Sequence, residues 1–169
     1  VTDAVRELGR LLGLAAHAPQ ATQGEHDVLW ELAEPGRRLV FEIKLAPDSK
    51  TIAIKDVNQA EGATRAVQAE HPGAPVRGVI VTPHDTVEPK ALVRLELVRL
   101  LALADLQAFT SQLLTLLGVY ANGWSEDAAT REHLRNEVEP QLPDLELLWK
   151  RRKDPKDSPW VALSRKARG

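Results

Sequence analysis

The chain has no cysteine and no methionine, and its aromatic residues number only four Trp, two Phe and one Tyr in 169 positions. Without cysteine there are no disulfides and no thiolate-bound metal centres. No basic segment followed by an apolar one opens the chain in the manner of a secretory signal, so a cytoplasmic location is expected. No apolar run approaches the ~18 residues a membrane-spanning helix needs, so no membrane partner is expected. A chain that begins at Val1 and lacks methionine leads to the further expectation of a domain excised from a larger polypeptide. A Gly-rich phosphate loop and a serine-centred nucleophile motif are also missing. What is present is the composition of a globular protein, 43% hydrophobic and 27% charged, in a length that suits one domain with an appendage.

The overall charge of −2 is unevenly placed. Residues 145–169 hold eight Lys or Arg against three acids, a net +5, which leaves −7 on the first 144 residues. The basic end, with Lys150, Arg151, Arg152 and Lys153 beside Trp149 and with Trp160 beyond, suits a nucleic-acid backbone. It equally suits a solvated helix end packed by its tryptophans.

Hydrophobic periodicity predicts a helix over residues 3–16, with Val5, Leu8, Leu11, Leu12 and Ala15 at helical spacing. The segments "DVLWEL" and "RRLVFEIKL" alternate apolar and polar residues around "EPG" and predict a β-hairpin. "TIAI" predicts a short third strand. A second helix is predicted across "KDVNQAEGATRAVQAEHPG", with Asp56 and Gln59 spaced as a capping box and Val57, Ala60, Ala63, Ala66 and Val67 to one side. "VRGVIVTP" reads as a strand buried on both faces, and the strand–helix–strand order implies a parallel crossover and a mixed sheet. A strand over residues 95–101, a helix over 105–117 and a short helix over 127–138 capped by Ser125 complete the expected elements. The expected division is a domain of residues 1–120 and a helical, basic extension of residues 121–169.

On the second strand of the hairpin, Arg38, Val40, Glu42 and Lys44 share one face, and Leu39, Phe41, Ile43 and Leu45 share the other. Pairing brings Asp27 near Glu42 if both project from the same face, with Lys44 one pleat further on. Two adjacent carboxylates repel unless a cation lies between them, and a hard divalent ion such as Mg²⁺, or Mn²⁺ in its place, resolves the repulsion. Such an ion acidifies a water and stabilises charge on a phosphoryl oxygen, and an adjacent lysine orients that water or neutralises the phosphate. These parts fit phosphodiester hydrolysis.

The order of helix, Asp27 on a strand, Glu42-Ile43-Lys44 on the next, a third strand, a Gln-bearing helix and a buried strand resembles the PD-(D/E)XK nuclease superfamily over residues 3–117. The resemblance implies a restriction endonuclease-like α/β fold, a central mixed sheet flanked by helices. It implies that Asp27, Glu42 and the backbone carbonyl of Ile43 hold Mg²⁺, that Lys44 supports the attacking water, and that Gln59 stands beside the site. It makes Glu7 the candidate for an acid contributed by the first helix. It also departs from the family's pattern: His26 precedes Asp27 where proline is common, and Ala63 stands where the exonuclease branch carries a tyrosine four residues after the glutamine.

Each residue also has a plainer reading. Glu42 and Lys44 make an exposed strand pair, Asp27 starts a strand, Gln59 only caps Asp56, Glu7 is solvated, and Lys55 and Arg65 face either phosphates or water. The favoured expectation is a metal-dependent DNA endonuclease module of a restriction, repair or defence protein, acting as a homodimer or beside other domains. The alternative is a nuclease-like domain that binds DNA or a partner protein without cutting.

Overall fold

A computed structural model describes residues 1–19, 26–32, 36–45, 51–84, 86–92, 97–123 and 127–138. In chain order the elements are α1 (Thr2–Leu11), β1 (Ala15–His17), β2 (Val28–Glu31), β3 (Arg38–Ile43), β4 (Thr51–Ile52) and α2 (Ile54–Glu70). They continue with β5 (Val76–Thr82), β6 (Thr86–Val87), α3 (Pro89–Leu92), β7 (Val98–Ala102), α4 (Leu103–Gly123) and α5 (Ala128–Val138). Five strands form the central sheet in the order β1-β2-β3-β5-β7. The hairpin half is antiparallel, whereas β3, β5 and β7 run parallel, so the sheet is mixed as expected.

Alternation along the strands divides the core into two layers. On one face Trp30, Phe41, Val79 and Leu101 pack with Val5 and Leu8 of α1 and with Leu106, Phe109 and Leu113 of α4. On the other, α2 lays Val57, Ala60, Ala63 and Val67 over Val40, Val76, Ile80 and Val98. Helices on both faces of a mixed sheet are a stable way to bury strands that are apolar on both sides, and β3 and β5, in its parallel half, are such strands. The mixed sheet flanked by helices is consistent with a restriction endonuclease-like arrangement. Among the described residues no helix is long and apolar enough to cross a membrane.

Several local expectations are corrected. The first helix stops at Leu11 instead of continuing to Ala16, because Gly13 takes a left-handed conformation (φ +76°). There the N–H of Gly13 donates to the Arg10 carbonyl and that of Leu14 to the Gly9 carbonyl, closing the last turn. Ala15–His17 is then free to pair with β2 as an edge strand. The short strand within "TIAI" does not join the central sheet: Thr51–Ile52 pairs in parallel with Thr86–Val87, and neither that partner nor α3 was expected. Asp56 does cap α2, but from inside its first turn, its carboxylate accepting the Ala53 N–H at 3.2 Å, so Gln59 is not its capping partner. Thr64, not Ala66, completes the buried face of α2. The strand expected over residues 95–101 is Val98–Ala102, and the following helix runs from Leu103 to Gly123, through the expected boundary at residue 120. At α5 the cap is Asp127, whose carboxylate accepts from the Thr130 hydroxyl at 2.8 Å and from the Thr130 N–H at 2.7 Å, and those two contacts hold its carboxyl below the usual range. Ser125 lies outside the described residues.

Gly9 is the point where α1 touches the sheet. A Cβ there would stand 2.5 Å from Nε1 of Trp30, whose indole N–H donates to the Val5 carbonyl at 3.1 Å. Gly62 is also helical, in α2, but a Cβ on it meets nothing within 4 Å. Alanine should therefore act with opposite signs at the two sites. Gly9→Ala is expected to lose about 1–3 kcal/mol by overpacking against Trp30, and Gly62→Ala to gain about 0.5–1 kcal/mol from helix propensity. Denaturant midpoints of the two variants against the parent check this, and a stabilised Gly9→Ala would refute the packing argument.

Candidate active site

The register of the hairpin decides what meets at its end. Val28 stands opposite Phe41, and the ladder continues one step further through the Asp27 N–H, which donates to the Phe41 carbonyl at 2.9 Å. Asp27 is thereby opposite Glu42. Both are on the α2 face, since Val28 and Phe41 fill the core on the other side. The Asp27 carboxylate also accepts the Ile43 N–H, at 2.6 Å, a charge-assisted bond that ties the loop before β2 to the end of β3.

Glu42 is the only acid in the chain's described core, 2% exposed. Two polar side chains converge on it. Lys44 Nζ lies 3.2 Å from Oε2, and Gln59 of α2 donates its amide N–H to the same oxygen at 3.2 Å. The amide oxygen of Gln59 in turn accepts from Lys44 Nζ at 2.8 Å, closing a triangle. The other oxygen, Oε1, is buried and has no hydrogen-bonding partner among the described residues. Burial pushes the Glu42 carboxyl above the usual carboxylate range; Lys44 pulls it down, and the charges of Asp27 and Asp56 push it up. An unsatisfied buried carboxylate oxygen beside a second carboxylate is the arrangement a hard cation would complete, so the donor set fits a divalent ion. Among the described residues no three His, Cys, Asp or Glu side chains stand together as a ready-made metal cluster.

The structure thus brings Asp27, Glu42, Ile43, Lys44 and Gln59 together. It does not bring Glu7 to them. Glu7 sits half-exposed on α1, against the other face of the sheet, and pairs with Arg6 at 3.2 Å and Arg10 at 2.8 Å. Arg65 is exposed and engaged with Glu61, four residues earlier on α2, at 2.7 Å. Lys55, exposed on the first turn of α2, lines an open groove of about 380 Å³ that begins at Ile43 and Lys44. Lys150, Arg151, Arg152 and Lys153 lie outside the described residues. Two groove residues, Thr51 and His84, were not singled out from the sequence as site residues. No spacing signal marks them, because only the parallel pairing of β3 with β5 and of β4 with β6 brings their segments to Lys44.

No protein-family model matches the sequence, and no curated protein is significantly similar to it. Among solved structures the chain is similar to one described as the crystal structure of a repair endonuclease from Pyrococcus abyssi, with 20% identity and a TM-score of 0.42. The similar region covers 58% of this chain and 42% of that one. So distant a likeness carries no argument about chemistry, which has to come from the site.

The raised Glu42 carboxyl gives a signed pH dependence. In the folded state Glu42 holds its proton to a higher pH than in the unfolded chain, so its contribution to stability falls as pH rises from the ordinary glutamate range through its folded value. Glu42→Gln removes that loss. With a chelator present, the variant is expected to gain stability relative to the parent between pH 4 and pH 7.5, on the order of the pH window that the glutamate pKa sets. Chemical denaturation at the two pH values checks this, and a relative loss on going to neutral pH would mean that pairing with Lys44 outweighs burial.

Proposed function

We propose that the chain is a metal-dependent nuclease that hydrolyses DNA phosphodiester bonds. The observation that carries this reading is the buried Glu42, opposite Asp27, with one oxygen engaged by Lys44 and Gln59 and the other without a partner. A structural ion pair would satisfy both oxygens, or stand in solvent where neither needs a partner. Here the lysine and glutamine bind one oxygen of the carboxylate and leave the other without a partner among the described residues.

Asp27, Glu42 and the Ile43 carbonyl would hold Mg²⁺ or Mn²⁺. When bound, the ion would supply Lewis acidity toward a water and a phosphoryl oxygen. The protein's own groups supply position and charge. Asp27 is held by the Ile43 N–H, so its second carboxylate oxygen is oriented by the backbone. Glu42 is fixed by the core around it and by the Gln59 amide. Lys44, 23% exposed, lies between the buried acid and the groove, where its ammonium can orient the attacking water and meet the negative charge that develops on the phosphate. Gln59 acts through Lys44 and Glu42 and is a positioning residue. The larger setting, a homodimer or one module of a restriction, repair or defence protein in the cytoplasm, belongs to this proposal as well.

Asp27→Ala and Lys44→Ala are each expected to cut plasmid or oligonucleotide DNA at least about 10²-fold more slowly than the parent, with folding intact by circular dichroism. Saturating Mg²⁺ should raise the melting temperature of the parent, by the equivalent of about 2.7 kcal/mol at a hundredfold excess over Kd. Asp27→Ala should show no such rise. Undiminished cleavage in both alanine variants would refute the assignment. Nucleic-acid binding with neither cleavage nor Mg²⁺-linked stabilisation would instead establish a non-catalytic binding module.

A further inference from the structure

The groove beside Lys44 lies beyond the carboxyl ends of β3 and β5, through Ile43 to Leu45 on one and His84 on the other. In open α/β sheets that is where ligands are held. Its two kinds of lining are what matter. One wall is aliphatic, from Ile43, Leu45 and Ile52, and apolar surface predominates in the lining. The rest is polar and mostly basic: Lys44, Lys55 and His84, with Thr51 and the carboxylate of Asp56, which is turned to the Ala53 N–H. The His84 backbone N–H donates to the Thr82 hydroxyl at 3.1 Å, which folds the chain over the strand end.

The usual anion site at such a place is the N-terminus of the following helix. In α2 it is partly occupied. Asp56 accepts the Ala53 N–H and Glu88 accepts the Ile54 N–H at 2.9 Å, so two carboxylates already take amides there and oppose an anion. A phosphate in the groove is met mainly by side chains, and Lys55 and His84 line it.

An intact duplex has little use for the aliphatic wall, because it offers a protein that approaches its backbone only phosphate and sugar, with the bases stacked inside. An unpaired nucleotide has an apolar base face as well as a phosphate. A volume of about 380 Å³ is of the size that takes one small ligand and no more.

Resting on the nuclease reading, we propose that this groove is a subsite for a single unpaired nucleotide next to the scissile phosphodiester. Its base lies against Ile43 and Leu45, and its phosphate meets Lys55 and His84. The substrate class is then single-stranded or locally unpaired nucleic acid.

The test uses the whole chain and a fluorescein-labelled single strand of about 12 nucleotides, against its blunt duplex, by anisotropy without divalent ions. The single strand is expected to bind about tenfold tighter than the duplex. His84→Ala and Leu45→Ser should each weaken single-strand binding about five- to tenfold, and Lys55→Ala should lower the slope of log K on log salt by about 1. Melting temperatures confirm that each variant is folded, and His84→Ala, whose side chain is outside the core clusters, serves if Leu45→Ser is not. Equal or tighter duplex binding, or variants that bind the single strand as the parent does, overturns the subsite.

Cleavage in Mg²⁺, measured separately, distinguishes the two readings. Single-strand binding that depends on His84 but leads to no cleavage keeps the subsite and ends the nuclease reading. Cleavage unaffected by His84→Ala and Leu45→Ser does the reverse. Neither binding nor cleavage overturns both.

Discussion

A carboxylate buried between a strand and a helix is the constraint on which the rest of this structure depends. Glu42 is flanked along β3 by Phe41 and Ile43, and it is tolerated in the interior only because Lys44 and Gln59 reach it. That requirement fixes register. A slip of one residue between β2 and β3 would turn Glu42 toward Trp30 and α1 and would drive Phe41 into the layer under α2, so the apolar contacts on both faces oppose it. Trp30 and Phe41, with ring centroids 4.5 Å apart and planes tilted by 52°, pin the same register from the opposite face. The packing that makes the sheet stable is thus the packing that sets Asp27 against Glu42.

The polar triangle leaves the site biased, not neutral. Lys44 and Gln59 both engage Oε2, which concentrates their stabilisation on one oxygen and leaves the buried Oε1 without a partner among the described residues. Burial and the neighbouring Asp27 and Asp56 oppose ionisation, while Lys44 favours it. A side chain in this balance costs the free protein stability near neutral pH. Such a cost is common at sites organised for a charge that arrives from outside. If the purpose were stability alone, an apolar residue of similar volume at position 42 would serve better.

The sequence shows the hairpin, the crossover and the helix that bears Gln59, because each has an uninterrupted period: alternation in "RRLVFEIKL", helical spacing from Val57 to Val67, and the apolar run of "VRGVIVTP". It also shows that Glu42 and Lys44 share a face, since strand alternation is a two-residue rule, whereas Asp27 joins them only through the register of the hairpin. What is not legible depends on contacts between distant segments. Ala15 and Leu12 extend the helical spacing beyond Leu11, yet Gly13 ends the helix and Ala15–His17 gains more by pairing with β2. The Asp56–Gln59 spacing is that of a capping box, yet the carboxylate of Asp56 turns back to Ala53 and the Gln59 amide is taken by Glu42 and Lys44. Glu7 has the chemistry of a site acid, but the face of α1 that packs is the one holding Val5 and Leu8, and Glu7 finds its charges in Arg6 and Arg10.

The small parallel pair of β4 and β6 explains how a short, weakly patterned segment still takes a defined place near the site. Two-residue strands are not stable alone. Here Ile52 anchors one of them in the core beside Val57 and Ile80, and Glu88 clasps both sides of it. The Glu88 N–H donates to the Ile52 carbonyl at 3.1 Å, and its carboxylate accepts the Ile54 N–H. One residue thereby joins the strand to the start of α2, the helix that carries Gln59 one and a half turns later. The position of the Gln59 amide against Glu42 therefore depends on a clasp at the helix start as well as on the packing of Val57 and Ala60. A carboxylate in that clasp also withholds the helix start from phosphate, so recognition of a negatively charged ligand passes from backbone amides to Lys44, Lys55 and His84, side chains that stand at the ends of different elements.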